Sequence, residues 1–181
     1  MDKAFSFQDK NSPENLIAWL NTIGLHYVIG EGIESFFEKD TIGLPEDLIA
    51  GLVRQNDARL RSALIALFLY KPGYSKELPE ALNKLTEGDR RILKIYYTAA
   101  VFLQQIHAQY LWDQIPNSVS LPNIYSIELG ISIDLPPDDA LKALARLHRE
   151  TSGLAINWLG TYQHAAERLI TRLKKEASWV A

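Results

Sequence analysis

A chain of 181 residues falls within the usual size of one domain and is long enough to bury a core without disulfide or metal staples. Hydrophobic residues make up 47 %, charged residues 23 %, and the formal net charge is -3; this excludes a disordered or collagen-like chain and sets the overall field against a phosphate backbone. There is no cysteine, which excludes disulfides, thiolate nucleophiles and cysteine-ligated zinc.

Residues 1–7 lack the basic and apolar runs of a secretion signal, and no stretch approaches the roughly 18 apolar residues of a membrane span. The expectation is a cytoplasmic protein with no membrane partner.

Ser12, Pro13 and Glu14 form a helix-start signal, because serine caps free amides and proline fits the first turn. Leu16, Ile17, Leu20 and Ile23 continue as a helical stripe that Gly24 closes. Residues 26–39 carry Gly30 and Gly32 before Ile33, Phe36 and Phe37, which predicts a bend and a short helix. Pro45, with Glu46 and Asp47 behind it, opens the next helix through Leu48, Ile49 and Leu52. Asn56 or Asp57 caps a helix over 59–70, with Leu60, Ala63, Leu64, Leu67 and Phe68 in phase, and Pro72-Gly73 ends it.

Thr86 with Asp89 three residues on resembles a capping arrangement for the longest helix, predicted over 87–114 and stopped by Pro116. Its apolar residues cover more than one side, so it is predicted to be central. Over 117–137, Ile127, Leu129, Ile131, Ile133 and Leu135 alternate as in a strand, but no second strand exists to pair with them. An ordered connector with one helical turn is the better reading. Asp138 or its neighbours cap a helix that Gly153 ends. A last helix is expected over 157–178, with Leu159, Tyr162, Ala166, Leu169, Ile170 and Leu173 inward. The predicted architecture is all-α: one domain over 1–181, an irregular bundle of six to eight helices around the long one.

The four histidines, His26, His107, His148 and His164, stand in no paired spacing that would hold a metal. No metal or cofactor is expected, and the scattered glycines form no phosphate-binding loop. Gln104 and His107, with Gln105 and Gln109 nearby, make a polar edge on an apolar helix and form a candidate cleft. Arg146, His148, Arg149 and Glu150 contain the groups a ribonuclease uses, but helical spacing aligns Arg146 with Arg149 and puts His148 on the opposite side. Candidate basic faces are Arg59 and Arg61, Arg146 and Arg149, and Arg168 and Arg172; a helix dipole favours cations near its C-terminus in any protein. Asp138 and Asp139 are explained as a cap. Of the tryptophans, Trp19, Trp112, Trp158 and Trp179, the last is the candidate interface anchor, since it follows a polar helical stretch and tryptophan is enriched at interfaces.

Three stretches, Asp57-Ala58-Arg59-Leu60-Arg61-Ser62-Ala63-Leu64, Leu121-Pro122-Asn123-Ile124-Tyr125-Ser126-Ile127-Glu128-Leu129-Gly130 and Asn157-Trp158-Leu159-Gly160-Thr161-Tyr162, together resemble a family of uncharacterised bacterial all-helical proteins. The resemblance implies a gene neighbour that is nucleotidyltransferase-like, and so one half of a two-component module of the toxin and antitoxin kind. It covers about a seventh of the chain and brings no catalytic motif.

The missing catalytic constellation makes a non-catalytic interaction protein the leading expectation, with a protein partner or a second copy of the chain; nucleic acid is not favoured. The alternative is an enzyme or toxin acting on RNA or a nucleotide, in which the fold gathers Arg59, Arg61, Arg146, His107 or His148 in one cleft. A DNA-reading protein would need a recognition helix, and no helix-turn-helix pattern is present.

Overall fold

The structure, a computed structural model, describes residues 11–26 and 43–180, with side chains to Ser178. The bend and short helix expected after His26 lie outside the described residues. Among the described residues the protein is all-helical, with eight α-helices and no strand.

The local start and stop chemistry shapes the chain as expected. Helix α1 (Pro13–Thr22) begins at Ser12, whose Oγ accepts the Asn15 N–H at 3.3 Å. It ends with Gly24 at φ 87°, where the Gly24 N–H donates to the Asn21 carbonyl and the Leu25 N–H to the Leu20 carbonyl. That closure places Leu25 in the core. Helix α2 spans Pro45–Val53. Helix α3 (Ala58–Tyr70) is capped by Asp57, whose Oδ1 accepts the Arg59 N–H at 2.7 Å. After Pro72 the chain turns through a 3-10 helix, Pro72–Glu77, and the short α4, Leu78–Asn83.

Helix α5 (Glu87–Ile106) is capped by Thr86, which accepts the Asp89 N–H and donates to the Asp89 carboxylate. The predicted single helix over 87–114 is in fact two, because His107, at φ -105° and ψ 18°, leaves the helical region before α6 (Ala108–Gln114). Neither proline nor glycine marks that break. The change of direction lets Leu111 and Ile115 reach the core while α6 packs on the last helix, so tertiary packing overrides a continuous helical sequence.

Helix α7 (Pro137–Ser152) starts earlier than the acidic pair suggested: its N-cap is Pro136, with no side-chain bond. Asp138 and Asp139 are therefore first-turn residues and not caps; they act through their charge on the helix dipole. Gly153, at φ 64°, ends α7, and α8 runs over Trp158–Val180.

Two helices share the centre. In α3, Leu60 and every residue of 62–69 are buried; in α5, Leu93 and every residue of 95–104 are buried. They pack on each other, with the Phe68 and Tyr97 rings edge-to-face at 5.0 Å. Helix α8 covers α3 and helix α7 covers α5. Both are apolar on more than one side, which is why neither can lie at the surface.

The stretch between α6 and α7 is the ordered connector expected, with one helical turn where the Leu129 N–H donates to the Tyr125 carbonyl. Gly130, at φ 73°, closes it as Gly24 closes α1, through Gly130 N–H to Ile127 O and Ile131 N–H to Ser126 O. The apolar alternation thus ends in a turn and not in a strand. At Gly130 a side chain would have open space, so Gly130→Ala should cost only the left-handed backbone, about 1 kcal/mol. At Gly24 a Cβ would also meet the Tyr70 hydroxyl at 3.1 Å. Urea titration should therefore show Gly24→Ala losing more stability than Gly130→Ala.

Candidate functional site

Helix α5 positions the connector with three polar side chains on an otherwise apolar segment. Lys94, Tyr97 and Gln104 lie three and seven residues apart, a spacing that lines up along one side of a helix. The Lys94 ammonium pairs with Glu128 at 2.6 Å and lies 5.3 Å from the centre of the Tyr125 ring. The Tyr97 hydroxyl donates to the Pro122 carbonyl at 2.8 Å, and burial pushes its pKa well up, so it stays a donor. The Gln104 amide bridges two connector residues, its Nε2 donating to Val119 O at 2.9 Å and its Oε1 accepting the Leu121 N–H at 2.7 Å. Gln104 is buried, so it acts as a clamp on the connector backbone instead of lining an open cleft.

Held in this way, the connector buries Leu121, Leu129 and Ile131 and turns other apolar side chains outward. Ile127 is 77 % exposed and Ile133 63 %, with Val119, Ile124 and Leu135 also exposed. Trp112 on α6, just before the connector, is 53 % exposed. Solvent-facing branched side chains concentrated on a segment whose backbone is fixed by buried partners make this segment the candidate contact surface. Residues 115–139 contain no lysine or arginine but carry Glu128, Asp134, Asp138 and Asp139; Lys94 pairs with Glu128 and Lys142 with Asp139, which leaves Asp134 and Asp138 to make the surround of the apolar side chains acidic.

Of the candidate anchors, Trp158 is buried, Trp19 packs against the core, and the Trp179 side chain lies outside the described residues. Trp112 is the exposed tryptophan among the residues whose side chains are described. From sequence, Lys94 reads as part of a small basic patch with Arg90 and Arg91, and Tyr97 as part of an apolar side; their link to the connector was missed, although both are polar groups in phase with Gln104 on a buried helix.

The histidines are dispersed. His148 is buried and its Nδ1 is hydrogen-bonded to the Tyr162 hydroxyl at 2.6 Å, while its ring stacks on Trp158 with centroids 3.6 Å apart. It faces away from Arg146 and Arg149, which are exposed. Burial, reinforced by the field of Arg61, pushes the His148 pKa down to about 4. His107 is half-buried at the α5 and α6 junction, its pKa lowered by burial against the opposing fields of Glu167 and Asp138. His164 is exposed and contacts Glu167 at 3.1 Å. Among the described residues no group of three His, Asp or Glu side chains is placed to hold a metal.

The basic candidates divide similarly. Arg59 is exposed in the first turn of α3, and Arg61 is half-buried with its Nε unpaired. Arg168 is exposed on α8. Arg172 is not a free basic face: its Nε donates to Glu176 at 2.7 Å, its Nη2 donates to the Gly24 carbonyl, and its guanidinium lies over the Tyr70 ring. Arg146 and Arg149 line an open groove between α7 and α8 that contains no histidine.

Compared with protein-family models, curated proteins and solved structures, the chain matches none of them.

Two expected outcomes follow from the buried polar groups. Gln104→Leu should leave the Val119 carbonyl and the Leu121 amide without partners, lowering stability by about 2 kcal/mol. Hydrogen exchange at the Leu121 amide should rise with it. For His148 the folded pKa lies below the unfolded one, so the unfolded state binds the proton first as pH falls. Stability that is complete above pH 6.5 should therefore be lost on acidification towards pH 4, by on the order of 3 kcal/mol. Urea midpoints measured from pH 7.5 to 4 should show this slope, and His148→Phe should flatten it.

Proposed function

We propose that this protein is a non-catalytic interaction module of the cytoplasm that docks another protein on its connector face. The observation that carries the reading is the fixed connector with exposed Ile127 and Ile133 in an acidic surround. The partner is a protein with an apolar recess rimmed by lysine or arginine. Seating Ile127 and Ile133 in such a recess would contribute about 1.5–3 kcal/mol for each side chain fully buried. The acidic surround disfavours a phosphate backbone at the same place.

The identity proposed for the partner follows from the three stretches that resemble the bacterial helical family. It is a nucleotidyltransferase-like protein, with this chain as the other half of a two-component module. Against an RNA-directed enzyme stands the separation of its groups: His148 is enclosed and bonded to Tyr162, while Arg146 and Arg149 face solvent.

Co-purification of the tagged chain tests the reading, with Ile127→Asp and Ile133→Asp combined as the comparison. Both positions are exposed, so the double variant should keep its helical content and melting temperature. A stoichiometric protein should accompany the parent chain and fall at least tenfold with the variant. Retention by the variant would overturn the reading, as would a self-associated parent that the variant converts to monomer, or recovery only of nucleic acid that salt removes.

A further inference from the structure

The other outward feature lies between α7 and α8. Two adjoining hollows, of about 510 and 550 Å³, share Arg146, Arg149 and Ala155. Each is within the size range of a small-molecule site. Helix α7 lines the first with Lys142, Arg146 and Arg149, four and three residues apart, so the three cations form one stripe. No carboxylate lines that hollow, and its apolar lining includes Ala145, Ile156, Leu159 and Trp158.

The charges are unequally committed. Lys142 is held by Asp139 at 2.9 Å, whereas Arg146 and Arg149 make no ion pair among the described residues. These two guanidinium groups meet on an apolar recess, with Glu150 lining the second hollow as its one carboxylate among the described residues. The N-terminus of the 23-residue α8 borders the same hollow through Asn157 and Trp158, but its Gly160 and Trp158 amides are already taken by the Asn157 side chain and the Ile156 carbonyl, so an anion there would rely on the guanidinium groups. Trp158 is 4 % exposed, and its indole N–H has no acceptor within the protein.

We infer that this groove binds a small phosphate monoester with an apolar or planar body, held at its phosphate by Arg146 and Arg149. Two planar forks one turn apart can share the three terminal oxygens of a dianion, whereas one carboxylate satisfies only one fork. The recess beside them takes the body of the molecule. The extent of the stripe selects a small ligand over a nucleic-acid strand. From Lys142 to Arg149 the helix rises only about 10 Å, and carboxylates bound the stripe at Asp138 and Asp139 before it and Glu150 after it. This is a binding site, because the histidine that could transfer a proton, His148, is buried behind Trp158 and hydrogen-bonded to Tyr162. It is independent of the connector face and of whatever docks there.

The test is amide and indole N–H shifts of the full chain during titration with adenosine monophosphate, ribose 5-phosphate, adenosine and inorganic phosphate. Both phosphate monoesters should shift Arg149, Gly153, Asn157 and the Trp158 indole, and adenosine should bind at least tenfold more weakly than its monophosphate. Arg146→Ala with Arg149→Ala should weaken the monophosphate at least tenfold while leaving the melting temperature unchanged, since both side chains are exposed. Arg146→Lys alone should give a smaller loss, from replacing the fork with a point charge. Equal binding of adenosine and its monophosphate, retention by the double alanine variant, or no shift with any phosphate would overturn the inference. A 20-nucleotide single-stranded RNA binding more tightly than the monophosphate, with a salt dependence spanning several phosphates, would overturn it in favour of a nucleic-acid surface.

Discussion

The arrangement rests on the contact between α3 and α5, two helices that have no side suited to water over most of their lengths. Each must be covered all round, and helices alone do not complete the enclosure of α5. The remaining side carries a phenol, an amide and an ammonium group, and removing such groups from water is costly unless each finds a partner. The connector supplies those partners with its own backbone, at Val119, Leu121 and Pro122, and with the Glu128 carboxylate. A segment with a single helical turn and no strand is ordered because a buried helix needs its hydrogen-bonding groups.

The same requirement explains what the sequence made legible. Helix beginnings were readable wherever a side chain satisfies a free amide locally, as Ser12, Asp57 and Thr86 do. Ends were readable where glycine takes a left-handed conformation, as at Gly24 and Gly153. These are interactions between near neighbours in sequence, and pattern captures them. The break at His107 was not readable, since it depends on where α6 meets α8 and on Leu111 turning inward. Nor were the true beginning of α7 and the structure around α4, where no side-chain cap is used.

The candidate site was legible only in part. Period-two alternation over 127–135 was visible, but alternation cannot distinguish a strand with one wet face from a turn that divides its apolar residues between core and solvent. The division here buries Leu129 and Ile131 and exposes Ile127 and Ile133. For α7, the 3.6-residue period was enough to separate Arg146 and Arg149 from His148. What it could not show is that His148 would be committed to Tyr162 and Trp158, or that Arg172 would be bound by partners as far away as Gly24. Helical phase tells which side chains share a face; distant contacts decide which of them are left available.

The bond from Arg172 to the Gly24 carbonyl spans 148 residues. A ribosome adding about 5–20 residues per second needs roughly 7 to 30 s to make the intervening chain. Throughout that interval the close of α1 stands without its guanidinium, while α3 and α5 can already meet. Helix α8, once made, brings the cation that fastens α1, so the order of synthesis leaves this junction unsecured until residue 172 has been added.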